Sequence, residues 1–207
     1  MSDSRAPRVW RDRRAAILDF LDRFSATAEQ LAQRFFPGGT LETQKRKARR
    51  WLEKQRRRKR VRVVGLVQRR ETGRPEIVYV RRCPADTIEH EVRVTDFALL
   101  FSDCRIVRDA KVGGTEADAL MIRGGERCYV EIDNSGKMTA KQMTAKWKRY
   151  SGVDGFILVV ALTETRMERL RRGADLVKNV ALFTTFARLQ SGMAEPWVDW
   201  YGRTARV

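Results

Sequence analysis

Three carboxylates and one lysine stand at spacings that could hold a cation or handle a proton. Asp118 precedes Glu131-Ile-Asp133, and between them Gly124-Gly125 sits in a short apolar-flanked segment. Such a glycine pair suits a tight hairpin turn needing positive φ. With a two-residue loop, Asp118 lies directly opposite Glu131 and Glu116 opposite Asp133. Strand side chains alternate, so Glu131 and Asp133 share one face and Cys128, Val130 and Ile132 the other. Like charges opposed across strands repel. A cluster of this kind calls for a cation, a proton or a lysine. Lys146 follows on a segment whose helical stripe is Met143, Trp147 and Tyr150. Its ammonium either points at the sheet or snorkels to solvent along an apolar face.

A second kind of chemistry is written in charge. From Thr43 to Arg62, twelve of twenty residues are Lys or Arg, and Glu53 is the single acid. Solvated helix faces normally mix signs. A run this one-sided fits a polyanion, because each cation that neutralises a phosphate releases condensed counterions. Residues 1–82 carry 24 Lys/Arg against 9 Asp/Glu, whereas the remainder carries 19 against 17. The asymmetry predicts a basic binding module, residues 1–84, joined to a nearly neutral domain, residues 85–207.

Several chemistries are disfavoured. Cys83, Cys104 and Cys128 are widely spaced and His90 is the single histidine, which fits neither a zinc site nor a disulfide framework. This cysteine usage predicts a reducing, cytoplasmic setting. The N-terminus has no apolar core of signal-peptide type. The longest apolar stretch, Phe156 to Leu162, is too short to span a bilayer, so no membrane partner is expected. Gly113-Gly114 lacks the Gly-Lys-Ser/Thr of a phosphate cradle, and no nucleophile-base-orienter pattern for covalent catalysis stands out.

Local signals then place the elements. Helices are predicted from Trp10 to Arg23, from a capping box Thr27-Ala-Glu-Gln30 onward, and from Thr40, with Leu41, Ala48, Trp51 and Leu52 as the apolar stripe of the third. Lys45, Arg46, Arg49 and Arg50 are read as lying off that stripe. Strands at 61–67 and 76–82 flank a turn rich in Gly and Arg. Helix, helix, helix and a basic-tipped hairpin is the winged helix-turn-helix order. Its third helix would enter the major groove, with Lys45, Arg46, Arg49 and Arg50 nearest the DNA and Arg69, Arg70 and Arg74 as wing contacts. In the second half a helix from Asp86 to about Ser102 precedes strands at 104–109, 118–122 and 128–133, a helix at 139–150 and a strand at 156–162. A further helix at 165–172 and strand at 180–187 follow. His90 shares a stripe with Val94, Phe97 and Phe101, which points it at a core. Trp197 and Trp200 are expected to pack the C-terminal tail onto the sheet.

The α-β-β-β-α-β order with Asp118 and Glu131-Ile-Asp133 resembles the core of the PD-(D/E)XK, restriction-endonuclease-like superfamily. The resemblance implies Asp118 and Glu131 as ligands of a divalent metal, Mg²⁺ or Mn²⁺, with Asp133 standing where the family has its lysine. Asp133 is then an additional metal ligand, and Lys146 on the helix replaces the cation. Lys146-Trp-Lys-Arg-Tyr150 resembles the helical Gln-x-x-x-Tyr element of the exonuclease branch, with lysine for glutamine.

Across residues 10–190 the chain resembles the replication-relaxation family of plasmids and other mobile elements. The resemblance is carried by Gln30-Leu-Ala, Phe35-Phe36, Ala48-Arg-Arg-Trp-Leu52, Ile88-Glu-His90, Val94-Thr-Asp96, Ala117-Asp118-Ala119, Tyr129-Val-Glu131-Ile-Asp133, Lys146 and Tyr150. Ala117 replaces the proline usual before the aspartate. The resemblance implies a mixed α/β chain, a DNA-binding winged helix fused to a nuclease-like domain, acting in replication, relaxation or mobilisation, or gene control. It implies catalytic positions at Asp118, Glu131, Asp133, Lys146 and Tyr150, and it lets His90 face the acidic cluster instead. Expected partners are double-stranded DNA, a relaxase or replication protein, and a second copy of the chain. Three functions stay open: DNA binding, metal-dependent cleavage or nicking, and a scaffold that docks a partner.

Overall fold

Side-chain caps start the second and third helices where the sequence places them, whereas the first begins at Arg5, earlier than the expected Trp10. The computed structural model describes residues 5–69, 74–81, 87–112, 114–134 and 138–207. The chain is mixed α/β and divides into two units, Met1–Leu99 and Leu100–Val207. The first contains α1 (Arg5–Arg23), β1 (Ala26–Thr27), α2 (Ala28–Phe35), α3 (Leu41–Arg57), β2 (Arg62–Val67), β3 (Glu76–Val80) and α4 (Ile88–Leu100). Thr27 Oγ1 accepts from the Gln30 amide at 3.3 Å, and Gln30 Oε1 accepts from the Thr27 amide at 2.9 Å, completing the capping box. Thr40 caps α3 through the Thr43 amide at 3.3 Å. Ile17, Phe20, Leu21, Phe24, Leu31, Ala48 and Leu52 are buried. The strands form an antiparallel sheet in the order β1-β3-β2.

The expected boundary at residue 84 moves. Helix α4, assigned from sequence to the second domain, packs within the first unit. Thr95 Oγ1 donates to the Ser25 carbonyl at 2.6 Å, and Gln30 Nε2 donates to the Val92 carbonyl at 3.0 Å. Val92 closes a small core with Val67 and Val78 of the hairpin, and Ile88 packs against it. The physical reason is coverage: the inner face of the β2–β3 hairpin is apolar and must be buried against something. With α4 included, the first unit carries 25 Lys/Arg against 13 Asp/Glu and the second 18 against 13. The charge asymmetry is therefore softer than a division at residue 84 suggests. The expected start of α4 at Asp86 lies outside the described residues.

The second unit contains β4 (Arg105–Val112), β5 (Thr115–Arg123), β6 (Glu126–Asp133), α5 (Ala140–Tyr150), β7 (Phe156–Ala161), α6 (Glu164–Arg172), β8 (Ala181–Thr185), α7 (Phe186–Gln190), β9 (Trp197–Asp199) and β10 (Thr204–Ala205). They form one sheet in the order β10-β9-β8-β7-β6-β5-β4. β6, β7 and β8 are parallel, so α5 and α6 are crossover helices. Met143, Trp147 and Tyr150 of α5 are buried in the same core as Tyr129, Ile157, Val159 and Phe183. Gly124 and Gly125, at φ +58° and +90°, make the tight turn. The β5–β6 register is the expected one, from Ala119 opposite Val130 to Arg123 opposite Glu126. Trp197 is buried on β9, which pairs with β8, so the tail does complete the sheet. No described helix is long and apolar enough to cross a membrane.

Gly65 lies in β2, where a Cβ would stand 2.4 Å from Ile88 Cδ1. Gly65→Ala is expected to lower stability by about 1–2 kcal/mol through overpacking. Ile88→Val removes the clashing methyl and should recover most of that loss when combined with it. A double-mutant cycle in urea reads the coupling, and additive losses would contradict the packing of α4 on the hairpin.

Candidate functional site

Regular strand alternation fails at Asp118, and that failure shapes the acidic site. Ala117 and Leu120 both reach the same core although three residues apart, as do Val107 and Ala110 on the facing strand. Asp109, between the latter two, has φ +53°, a conformation uncommon for a non-glycine residue. The paired ladder of β5 and β6 stops at Ala119 and Val130. Beyond it the Asp118 side chain takes over: Oδ2 accepts the Ile132 amide at 2.7 Å.

Glu131, 3% exposed, sits at the floor of the site. Lys146 Nζ donates to its Oε2 and the Tyr150 hydroxyl donates to its Oε1. The sequence thus places Lys146 and Tyr150 correctly, one helical turn apart on the inward stripe of α5. Thr139 and Gln142 form a capping box that fixes where this helix starts. Burial pushes the Glu131 carboxyl above its ordinary range, Lys146 opposes the shift and Asp118 reinforces it. Burial, then Glu131, pushes the Tyr150 phenol up as well, so it stays a hydrogen-bond donor. Asp118, Glu131 and Lys146 line one groove of about 520 Å³ together with Glu116, Gln142 and Arg149.

Asp133 is not part of that groove. It shares a face of β6 with Glu131, but Arg166 Nε and Nη2 both donate to its Oδ2, at 2.9 and 2.5 Å. Arg166 and Asp133 are each 9% exposed at the side chain. Sequence reasoning misses Arg166, although a basic residue in the first turn of α6 opposes the helix dipole and so needs another reason to be there. Asp133, expected as a metal ligand, is held here in an ion pair that ties β6 to α6. As a cation site the donor set falls short. Both Glu131 oxygens are engaged by protein donors, and among the described residues no three His, Cys, Asp or Glu side chains converge on one point. The arrangement can hold a proton on Glu131 and an ammonium against it, and no step is derived through a metal. His90 is carried by α4, in the first unit.

The basic face divides in two. Ala48, Trp51, Leu52 and Gln55 are the buried stripe of α3. Lys45 stands three residues before Ala48 and seven before Leu52, which puts it on that stripe rather than off it. Its ammonium lies 2.9 Å from Glu29 of α2, and its side chain is 16% exposed. Arg69, expected on the wing, is likewise enclosed: 2.5 Å from Asp96, 3.7 Å from Glu76 and 3.8 Å from Glu29. Arg46, Lys47, Arg50 and Lys54 are exposed, share one face of the helix, and make no ion pair with a described residue. Arg49 is exposed and reaches Glu42 at 3.5 Å. Arg74 is exposed beside the groove between α3 and the hairpin. Arg70 lies outside the described residues. Comparison with known proteins finds no protein family, curated protein or solved structure that matches the chain.

Glu131 sets a pH dependence with a definite sign. A carboxyl raised by folding binds its proton more tightly in the folded state. Its contribution is complete below the ordinary Glu value of about 4.3 and is lost as pH rises through the folded value. Glu131→Gln should flatten the fall in melting temperature as pH rises above about 4.3. Lys146→Met should extend that fall to higher pH, because it removes the cation that opposes the rise of the Glu131 carboxyl. Identical pH profiles for native chain and both variants would contradict this account of the site.

Proposed function

We propose that the chain is a double-stranded DNA-binding protein whose first unit acts as a winged helix, with α3 presented to the major groove. The observation that carries this is the exposed face of Arg46, Lys47, Arg50 and Lys54, four cations none of which forms an ion pair with a described residue. A helix face of this kind is costly in self-repulsion unless it meets a polyanion. The helix order, the Thr40 cap that starts α3 and the following hairpin support the same geometry. Arg74 extends the contact from the hairpin. In keeping with the resemblance to the replication-relaxation family, such binding would serve a plasmid or other mobile element in replication, mobilisation or gene control.

The test is a salt titration of duplex binding by the full chain. Replacing Arg46, Arg50 and Lys54 together with alanine should weaken binding. The slope of log affinity against log salt should fall by up to about 2.7, near 0.9 for each phosphate that is no longer neutralised. An unchanged slope would remove α3 from the interface.

A second function, metal-dependent DNA cleavage, is favoured by one observation: Asp118, Glu131 and Lys146 line a single groove. On that reading Mg²⁺ or Mn²⁺ would be held only where Lys146 and Tyr150 release the Glu131 oxygens they engage here. It predicts nicking of supercoiled plasmid that is lost in both Asp118→Ala and Glu131→Ala. Intact DNA binding with no nicking in the native chain would leave the second unit as a docking module for a relaxase or replication protein.

A further inference from the structure

Arg69 and Lys45 belong to a buried charge network whose members come from every part of the first unit that frames α3. Asp96 of α4, 6% exposed, accepts from Arg69 Nη2 at 2.5 Å and from Gln30 Nε2 at 2.8 Å on the same oxygen. Its other oxygen lies 3.5 Å from Arg93. Glu29 of α2, 3% exposed, receives Lys45 of α3 on one oxygen and Arg69 on the other. Glu76, at the start of β3, receives Arg69 as well. Arg69 lies just past the end of β2, so this one guanidinium joins the end of the hairpin to α2, β3 and α4. A guanidinium can do this because its donors are fixed in a planar fork, which an ammonium cannot imitate.

We infer that Arg69, with Lys45 and Asp96, forms a positioning clamp that holds the wing and α3 in the mutual geometry DNA requires, and that neither cation touches a phosphate. The inference rests on the DNA-binding function proposed above. Two physical points support it. Each cation is largely enclosed and already shared among carboxylates, so lending it to a phosphate would strand buried negative charge. The carboxylates also sit close to a basic surface, where they oppose DNA binding by simple electrostatics. Their presence is explained if they act through geometry.

The sign of one substitution separates the two roles. If Arg69 contacts phosphate, Asp96→Asn removes a competing negative charge and should tighten duplex binding. If Arg69 positions the wing, Asp96→Asn should weaken binding roughly tenfold, since it breaks a charge-assisted bond that sets the geometry. Arg69→Gln should weaken it to a similar extent, with the salt slope unchanged. The double variant should be no worse than either single one, because both break the same link. Arg50→Ala, measured alongside, should lower the slope by about 0.9. Arg69→Lys keeps the charge but not the fork, so it should behave like Arg69→Gln if geometry is what matters, and like the native chain if charge alone does. Amide exchange in β3 and α4, followed without DNA, should quicken in Arg69→Gln and Asp96→Asn while α1 stays protected. Tighter binding by Asp96→Asn, or a slope reduced in Arg69→Gln, overturns the clamp. Failure of the native chain to bind duplex DNA sinks the DNA-binding function, and the exchange measurement still decides whether the clamp holds the hairpin.

Discussion

A carboxylate taken out of water must be met by a donor or a proton, and this requirement organises both halves of the chain. Asp96 and Glu29 in the first unit, and Glu131 and Asp133 in the second, are each enclosed. Leaving any of them unpaired would cost several kcal/mol, which is a large part of the total stability of a small domain. Each is answered by a long basic side chain from a different element: Arg69 for Asp96, Lys45 for Glu29, Lys146 for Glu131 and Arg166 for Asp133. These pairs join different elements, and they fix geometry that apolar packing alone would leave looser. In the second unit they also decide chemistry. Glu131 is shared between an ammonium and a phenol, while Arg166 takes Asp133 away from the groove.

The same requirement divides a chain with 43 basic residues into two populations. Cations engaged by internal carboxylates keep the fold, and those on the open face of α3 stand in solvent. Charge counting along the sequence cannot make this division, because Lys45 and Arg46 are neighbours with opposite fates. Helical phase makes it: one residue along the helix is a rotation of about 100°, which is enough to carry a side chain from the core edge into solvent.

What the sequence disclosed follows from how local each signal is. The Thr27–Gln30 box, the Thr40 cap, the Gly124-Gly125 turn and the inward stripe of α5 depend on neighbours in sequence, and all are legible there. So is the β5–β6 register, because a two-residue turn leaves only one pairing. The Glu131–Lys146–Tyr150 group is legible because helical spacing and strand alternation both point to it. Three features are not. Arg166 meets Asp133 across a parallel crossover, where no local rule links the two residues. The enclosure of Lys45 and Arg69 needs partners on α2 and α4. Helix α4 itself falls to the wrong unit, since its apolar positions fit equally well against any exposed sheet face.

That placement of α4 bears on how the chain can be divided in the laboratory. A fragment ending at residue 84 would expose Val67 and Val78 and leave Arg69 without Asp96, so it is expected to be sticky and susceptible to proteases. One ending after α4 keeps the hairpin covered. The unit boundary also falls inside the last turn of that helix, at Leu99 and Leu100. Engineering the halves apart, or grafting the first onto another protein, therefore calls for extending the helix before introducing a glycine-rich spacer.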